Sequence, residues 1–230
     1  MGRPATAMMA TFLFGSLAMA GALFGALPAG SARADTTGEG DRVERATQVL
    51  DRFLADPNGH GLRETMKRAR AVLVVPNYVR AGFVIGGTGG GGVMLLRRQD
   101  GGWNGPAFFD TVAGTLGPQV GIYRSELVML FMTERSVNRA LQGSMQFGAD
   151  ASVAAGPLGA GERGPFADIY TYIRPVGAYA GISVSTGAVE PDRGENELFY
   201  GRGASARAIL VEGRYNTESG QRLRQILAQY

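Results

Sequence analysis

The chain has 230 residues, 45% of them apolar and 36 of them glycine, enough apolar side chain to bury one sizeable core. It carries 23 basic against 20 acidic residues, a formal net charge of +3, so the basic excess of a nucleic-acid-binding domain is absent. There is no cysteine, and His60 is the only histidine, which excludes disulfides, Cys/His zinc sites and cysteine nucleophiles.

The first residues read as a secretory signal. Arg3 supplies positive charge, residues 7–27 are apolar and uncharged, Pro28 and Gly30 break the run, and Ala32-Arg33-Ala34 forms an A-x-A cleavage pattern. The apolar run is close to the ~20 residues that span a bilayer, so a retained anchor stays open as the other reading. No Cys follows it, which rules out lipid attachment of the bacterial lipoprotein type. Cleavage after Ala34 removes Arg3 and Arg33, leaving 23 − 2 = 21 basic residues against 20 acidic ones. The expected organisation is a signal peptide over 1–34, a polar lead over 35–40 and one domain over 41–230. The expected location is periplasmic or secreted, with peripheral membrane association open.

Residues 41–55 place Val43, Ala46, Val49, Leu50, Phe53 and Leu54 at helical spacing, and Asp56-Pro57-Asn58-Gly59 stops the helix. Arg42, Arg45 and Arg52 flank this stripe. Two readings stay open: a helix packing its apolar side on a sheet, or an amphipathic helix lying on an anionic bilayer. The interleaved Asp41, Glu44 and Asp51 weaken the second. A second helix over about 62–70 leads through Lys67, Arg68 and Arg70 into the apolar run Val72-Leu73-Val74-Val75-Pro76, a strand signal.

The stretch 81–121 is glycine-dense, but its glycines punctuate apolar runs and bracket Trp103, unlike a flexible linker. It reads as tightly curved β structure, with a sharp bend or close backbone approach at residues 86–92. Strands are expected over 82–85, 93–97, 106–112, 120–123, 127–133, 145–154, 169–174 and 179–184. Thr133 caps a short helix carrying Val137, Ala140 and Leu141. A last helix, within 219–230, carries Leu223, Ile226 and Leu227. The fold class is α+β: a single domain with a curved, mainly antiparallel, glycine-rich sheet, partly barrel-like, and helices at both ends.

The motifs that would carry chemistry fail on context. Gly87-Thr88-Gly89-Gly90-Gly91-Gly92 satisfies G-x-G-x-x-G, but the strand-like run after it leaves no helix to meet a pyrophosphate. Lys67, the only lysine, follows no glycine loop. His60 sits in the turn Asn58-Gly59-His60-Gly61 with no patterned serine near it. Glu190, Asp192, Glu195 and Glu197 break the order of a calcium loop and read as a solvated loop between strands. Trp103 reads as core or strand-edge, with a membrane-interface position as the alternative.

Several pieces nevertheless fall in a telling order. They are residues 70–76, Ala81-Gly82-Phe83, Gly86-Gly87 and the glycines after them, Trp103 with Pro106-Ala107, and residues 117–121. Phe147-Gly148-Ala149-Asp150, Gly156-Pro157, and Tyr172-Ile173-Arg174 with Gly177 and Gly181 follow, then Asn196 with Phe199-Tyr200-Gly201. In order and spacing these resemble the SYLF domain, also called the Ysc84 actin-binding or DUF500 domain, over residues 42–203. The chain resembles an exported bacterial member. The resemblance implies a non-enzymatic domain without metal or cofactor. Eukaryotic members bind phosphoinositides, and yeast-type members bind and bundle actin. For an exported chain it implies binding of anionic phospholipid head groups, with Lys67, Arg68, Arg70, Arg42, Arg45 and Arg52 as candidates. Actin enters only by family analogy and does not suit an exported protein; nucleic acid is not expected. The runner-up is a periplasmic small-ligand binding protein using a glycine-lined cleft. A hydrolase lacks the catalytic side chains. The chain departs from the family where Arg70 replaces a frequent lysine, Asn104 a serine and Ser185-Thr186 an acid. Oligomeric state is not legible.

Overall fold

The computed structural model describes residues 36–82, 85–116, 121–143, 145–147, 150–156, 166–176, 187–215 and 217–230. The signal-like residues 1–34, Gly177, Gly181 and the strand expected over 179–184 lie outside them. The elements in chain order are helix α1 (Thr36–Ala55), helix α2 (His60–Met66), strands β1 (Ala71–Gly82), β2 (Ile85–Arg97), β3 (Trp103–Leu116) and β4 (Gly121–Phe131), and helix α3 (Glu134–Leu141). Strands β5 (Met145–Phe147), β6 (Val153–Ala155), β7 (Ile169–Val176) and β8 (Gly187–Pro191) follow, then helices α4 (Arg193–Tyr200), α5 (Ala206–Leu210) and α6 (Gln221–Leu227). The strands form one curled, half-barrel sheet in the order β5-β8-β3-β2-β1-β4-β7-β6, and only β6–β7 pair in parallel. The fold is α+β, as expected.

Both faces of the sheet are covered, which explains the unbroken apolar runs in its central strands. One face carries Leu73, Met94, Ala107, Phe109, Leu127 and Met129 beneath Val137 and Ala140 of α3 and Ile209 and Leu210 of α5. The other carries Val72, Val74, Val93, Leu95, Phe108, Val128 and Leu130 beneath α1, α2 and α6. The α1 stripe of Val43, Ala46, Val49, Leu50 and Phe53 is wholly spent in this second core. Of the two readings of this helix, the packed one holds. Trp103 is 4% exposed in the same core and is therefore not an interface aromatic.

The expected bend at residues 86–92 is absent: β2 runs through them as an extended strand, and none of these glycines has positive φ. What they serve is close approach. A Cβ on Gly92 would lie 2.6 Å from the Val74 carbonyl oxygen, and one on Gly90 would lie 2.9 Å from Val75 Cγ1 and meet the Asn77 carbonyl. The neighbour that crowds them is a bulge. Between Val74 and Val79, β1 has one residue more than β2 opposite; between Val75 and Tyr78 it has one more than β4. Pro76, which cannot donate to a ladder, sits in this bulge. The extra residue flips the alternation, so Tyr78 joins the face of Leu73 and Val75.

Three further expectations need correction. The segment 145–154 is not one strand: β5 and β6 lie at opposite edges of the sheet. The acidic segment 190–197 is not a solvated loop: Glu190 belongs to β8, and Asp192 caps α4 by accepting from the Glu195 N–H at 2.9 Å. Asp192-x-x-Glu195 is a helix-start signature, and the glycine inside it disguised it. Helix α1 starts at Thr36, taking in most of the segment read as a polar lead.

Candidate functional site

The basic residues sort into two groups. The first is spent inside the fold. Arg42 on α1 is paired with Glu195 on α4 and lies against Gly91, where a Cβ would meet its guanidinium at 2.8 Å. Arg52 bonds Glu126 on β4 at 2.5 Å; Glu126 is 8% exposed. The ion pairs Asp51–Arg222 at 3.1 Å and Asp56–Arg174 at 3.0 Å also join this helix and its exit to α6 and β7. Arg42 and Arg52 are thus struts from α1 to α4 and to β4, and only Arg45 of the three α1 candidates is exposed without a strut role. The six candidate cations thus do not gather in one place.

The second group gathers at one end of the sheet, where β1 begins and β2 ends. Lys67, Arg68 and Arg70 lie in the link from α2 to β1 and are exposed. The Arg97 N–H donates to the Arg70 carbonyl at 2.8 Å, so Arg97 and Arg98 on the exit of β2 stand beside them. Arg97 is half-buried. Its Nε and Nη2 donate to the Ala69 and Met66 carbonyls at 2.9 Å each, and its guanidinium lies 4.4 Å from the Trp103 ring centre. Burial, then the charge of Arg70, pulls its pKa below the ordinary value. It therefore holds α2 and Trp103 in place rather than facing a ligand.

The remaining cations are loosely held. Lys67 pairs with Glu64 at 2.7 Å, Arg98 with Asp100 at 2.8 Å and Arg70 with Glu134 at 3.9 Å, all on half-exposed or more exposed side chains. Such surface pairs contribute about 0–1 kcal/mol, so an anion of higher charge can displace the carboxylate. Among the described residues Arg68 has no carboxylate partner. Arg70 and Arg98 rim a cleft of about 710 Å³ with Leu96, Val137 and Leu210 on its apolar wall. Asn104, the departure from the family pattern, lines it too and donates to the Leu210 carbonyl at 2.9 Å, anchoring α5.

The same end of the sheet presents Phe166, 90% exposed. Ile169 opens β7 opposite Phe131, which in turn lies opposite Ala71 at the start of β1, so Phe166 precedes the strand at the end that carries Arg70. Asp168, two residues on, fixes this corner. Its Oδ2 accepts from Ser152 N at 3.0 Å and Ser152 Oγ at 2.8 Å, and its Oδ1 accepts from Thr133 Oγ1 at 3.0 Å. Sequence reasoning missed Arg97, Arg98 and Phe166. The Arg97-Arg98 pair at a strand exit was a visible signal; Phe166, between Pro165 and Ala167, had no periodic context to mark it.

Among the described residues no group of three or more His, Asp or Glu could hold a metal ion. No described helix is long and apolar enough to cross a membrane. The motif residues Tyr200 and Gly201 are structural. Tyr200 donates to the Pro106 carbonyl, burial pushes its hydroxyl up to about 12, and Gly201 ends α4 with φ +101°.

Comparison with known proteins gives a family. A family model described as Ysc84, Las17-binding protein actin regulator, matches residues 112–230. LAS seventeen-binding protein 3 of Saccharomyces cerevisiae is 31% identical over 181 residues, 73% of this chain and 39% of that protein. Protein YSC84 of the same yeast is 28% identical over 181 residues, 73% of this chain and 38% of that protein. SH3 domain-containing YSC84-like protein 1 of Xenopus laevis is 33% identical over 136 residues, 56% of this chain and 41% of that protein. The chain thus spans about two fifths of the length of these relatives. No solved structure gives a significant match.

Proposed function

Because this chain belongs to the Ysc84 family, we propose that it is a non-enzymatic domain that docks on membranes containing anionic phospholipid. The observation that carries this reading is the gathering of Lys67, Arg68, Arg70 and Arg98 with exposed Phe166 at one end of the sheet. Each basic group near an anionic surface contributes about 1 kcal/mol, and salt weakens it. An exposed aromatic ring at the same end of the sheet adds an apolar contact just below the head groups. The cleft rimmed by Arg70 and Arg98 is the place for one phosphate-bearing head group. Las17 and actin stand in the description of the family model, and Las17 also in the name of a relative more than twice as long as the matched region. With a signal-like N-terminus, we place this chain in the periplasm after cleavage near Ala34, with phospholipid rather than actin as its partner.

Co-sedimentation with vesicles tests this. Vesicles mixing phosphatidylglycerol with phosphatidylcholine are expected to pull down the protein, and phosphatidylcholine alone to leave it in solution. Three cation-to-anion changes, Lys67→Glu, Arg68→Glu and Arg70→Glu, should abolish most of the binding together, and Phe166→Ser should weaken it. Equal binding to both vesicle types, or none, would sink the proposal.

A further inference from the structure

The opposite end of β1 holds a second cluster, which the docking surface does not use. The bulge at Pro76 and Asn77 turns Tyr78 and Arg80 onto the face of Leu73. Arg80 is paired across the sheet with Thr88 on β2 and Tyr123 on β4, and Tyr78 with Ser125. Side chains paired directly across strands share a face, so these five stand together; Tyr78 and Thr88 hydroxyls meet at 2.7 Å. Arg80 is 9% exposed and Ser125 fully buried.

Among the described residues, three buried side-chain atoms have no hydrogen-bond partner, and two of them, Arg80 Nε and Ser125 Oγ, fall in this cluster. Native proteins leave few such atoms, and a buried guanidinium is costly without a counter-charge. None of the strand positions flanking Arg80 in register is acidic; they are Gly, Thr, Tyr and Ser. The next row holds no Cβ at all, because Gly86, Gly82 and Gly121 lie in register across three neighbouring strands.

We propose that Arg80 and Ser125 form a buried oxyanion site that takes a phosphate group. The planar fork of a guanidinium matches two phosphate oxygens. Ser125, diagonal to Arg80 at a spacing of about 7–8 Å, donates to a third. The bulge is what makes the site: without the extra residue Arg80 would face the α1 side. This site stands apart from the docking end, at the other end of the same strand.

Isothermal titration calorimetry on the full chain tests it with two probes, inorganic phosphate and dihexanoyl phosphatidic acid below its micelle concentration. Binding of phosphate identifies a free anion as the source; binding of the lipid alone identifies a head group. Either should be saturable, weakened about tenfold or more by Arg80→Gln or Arg80→Lys and weakened by Ser125→Ala. Arg80→Lys keeps the charge without the fork, and Ser125→Ala is small enough to leave the fold intact. Arg70→Glu with Arg98→Glu removes binding at the cleft of the docking end and should leave the Arg80-dependent binding unchanged. Two silent probes, wild-type binding by either Arg80 variant, wild-type binding by Ser125→Ala, or complete loss through Arg70 and Arg98, would each overturn the site.

Discussion

Gly92 shows what single residues decide here. Its missing Cβ is occupied by the Val74 carbonyl oxygen and the Val75 side chain, so Gly92→Val must push β1 away from β2. The expected cost is about 1–3 kcal/mol, the range for overpacking, read as a lower urea midpoint at unchanged slope; an unshifted midpoint would show the strands can give. Asp168 makes a prediction in pH. Desolvation raises its pKa, but hydrogen bonds from Ser152 and Thr133 and the charge of Arg135 outweigh that, so the folded value lies below the ordinary 3.8. A depressed carboxyl contributes stability that is fully present above its unfolded value and is lost as pH falls through the folded value. Asp168→Asn should therefore cost about 1–3 kcal/mol at neutral pH and much less in acid. A deficit that persists undiminished below 3.8 would contradict this account. At this scale the sequence was half legible. Lys67, Arg68 and Arg70 could be picked as exposed cations because they follow a helix and precede a strand. Arg42 and Arg52 could not be distinguished from them, because their partners Glu195 and Glu126 are 153 and 74 residues away.

Elements with a local signal were readable, and those defined by distant partners were not. Helix α3 appeared with its Thr133 cap because hydroxyl and periodicity are both local. Helix α1 appeared because its stripe runs over several turns. Helix α4 has 8 residues, as α3 has, but Gly194 within its first turn and the acids around it made it read as a loop, and α5, with 5 residues, is too short for periodicity to show. The edge strands β5 and β6 have 3 residues each and owe their existence to β8 and β7. For α1 the account makes a separating prediction. Arg52→Ala leaves Glu126 buried without its cation and should lower stability by about 1–3 kcal/mol, with partial recovery when Glu126→Gln is added. The same variant should bind anionic vesicles as the wild type does once both are folded. Loss of vesicle binding at full foldedness would return α1 to the membrane surface.

At the scale of the whole molecule, the curled sheet has two unlike ends. Helices cover both faces, so the apolar surface that an amphipathic helix might have offered a bilayer is already used in the second core. The membrane contact proposed above is the end where β1 starts, with Lys67, Arg68, Arg70, Arg98 and Phe166. That end was only partly visible in the sequence, because its members come from three separate segments that the sheet order brings to the same end. Hydrogen–deuterium exchange of the protein bound to phosphatidylglycerol-containing vesicles tests this central claim most directly. The account predicts new protection at residues 67–70, 97–100 and 166–168, with α1 exchanging as it does in free solution. Protection along the outer face of α1 instead, or no change at the basic end when the protein is vesicle-bound, would contradict it.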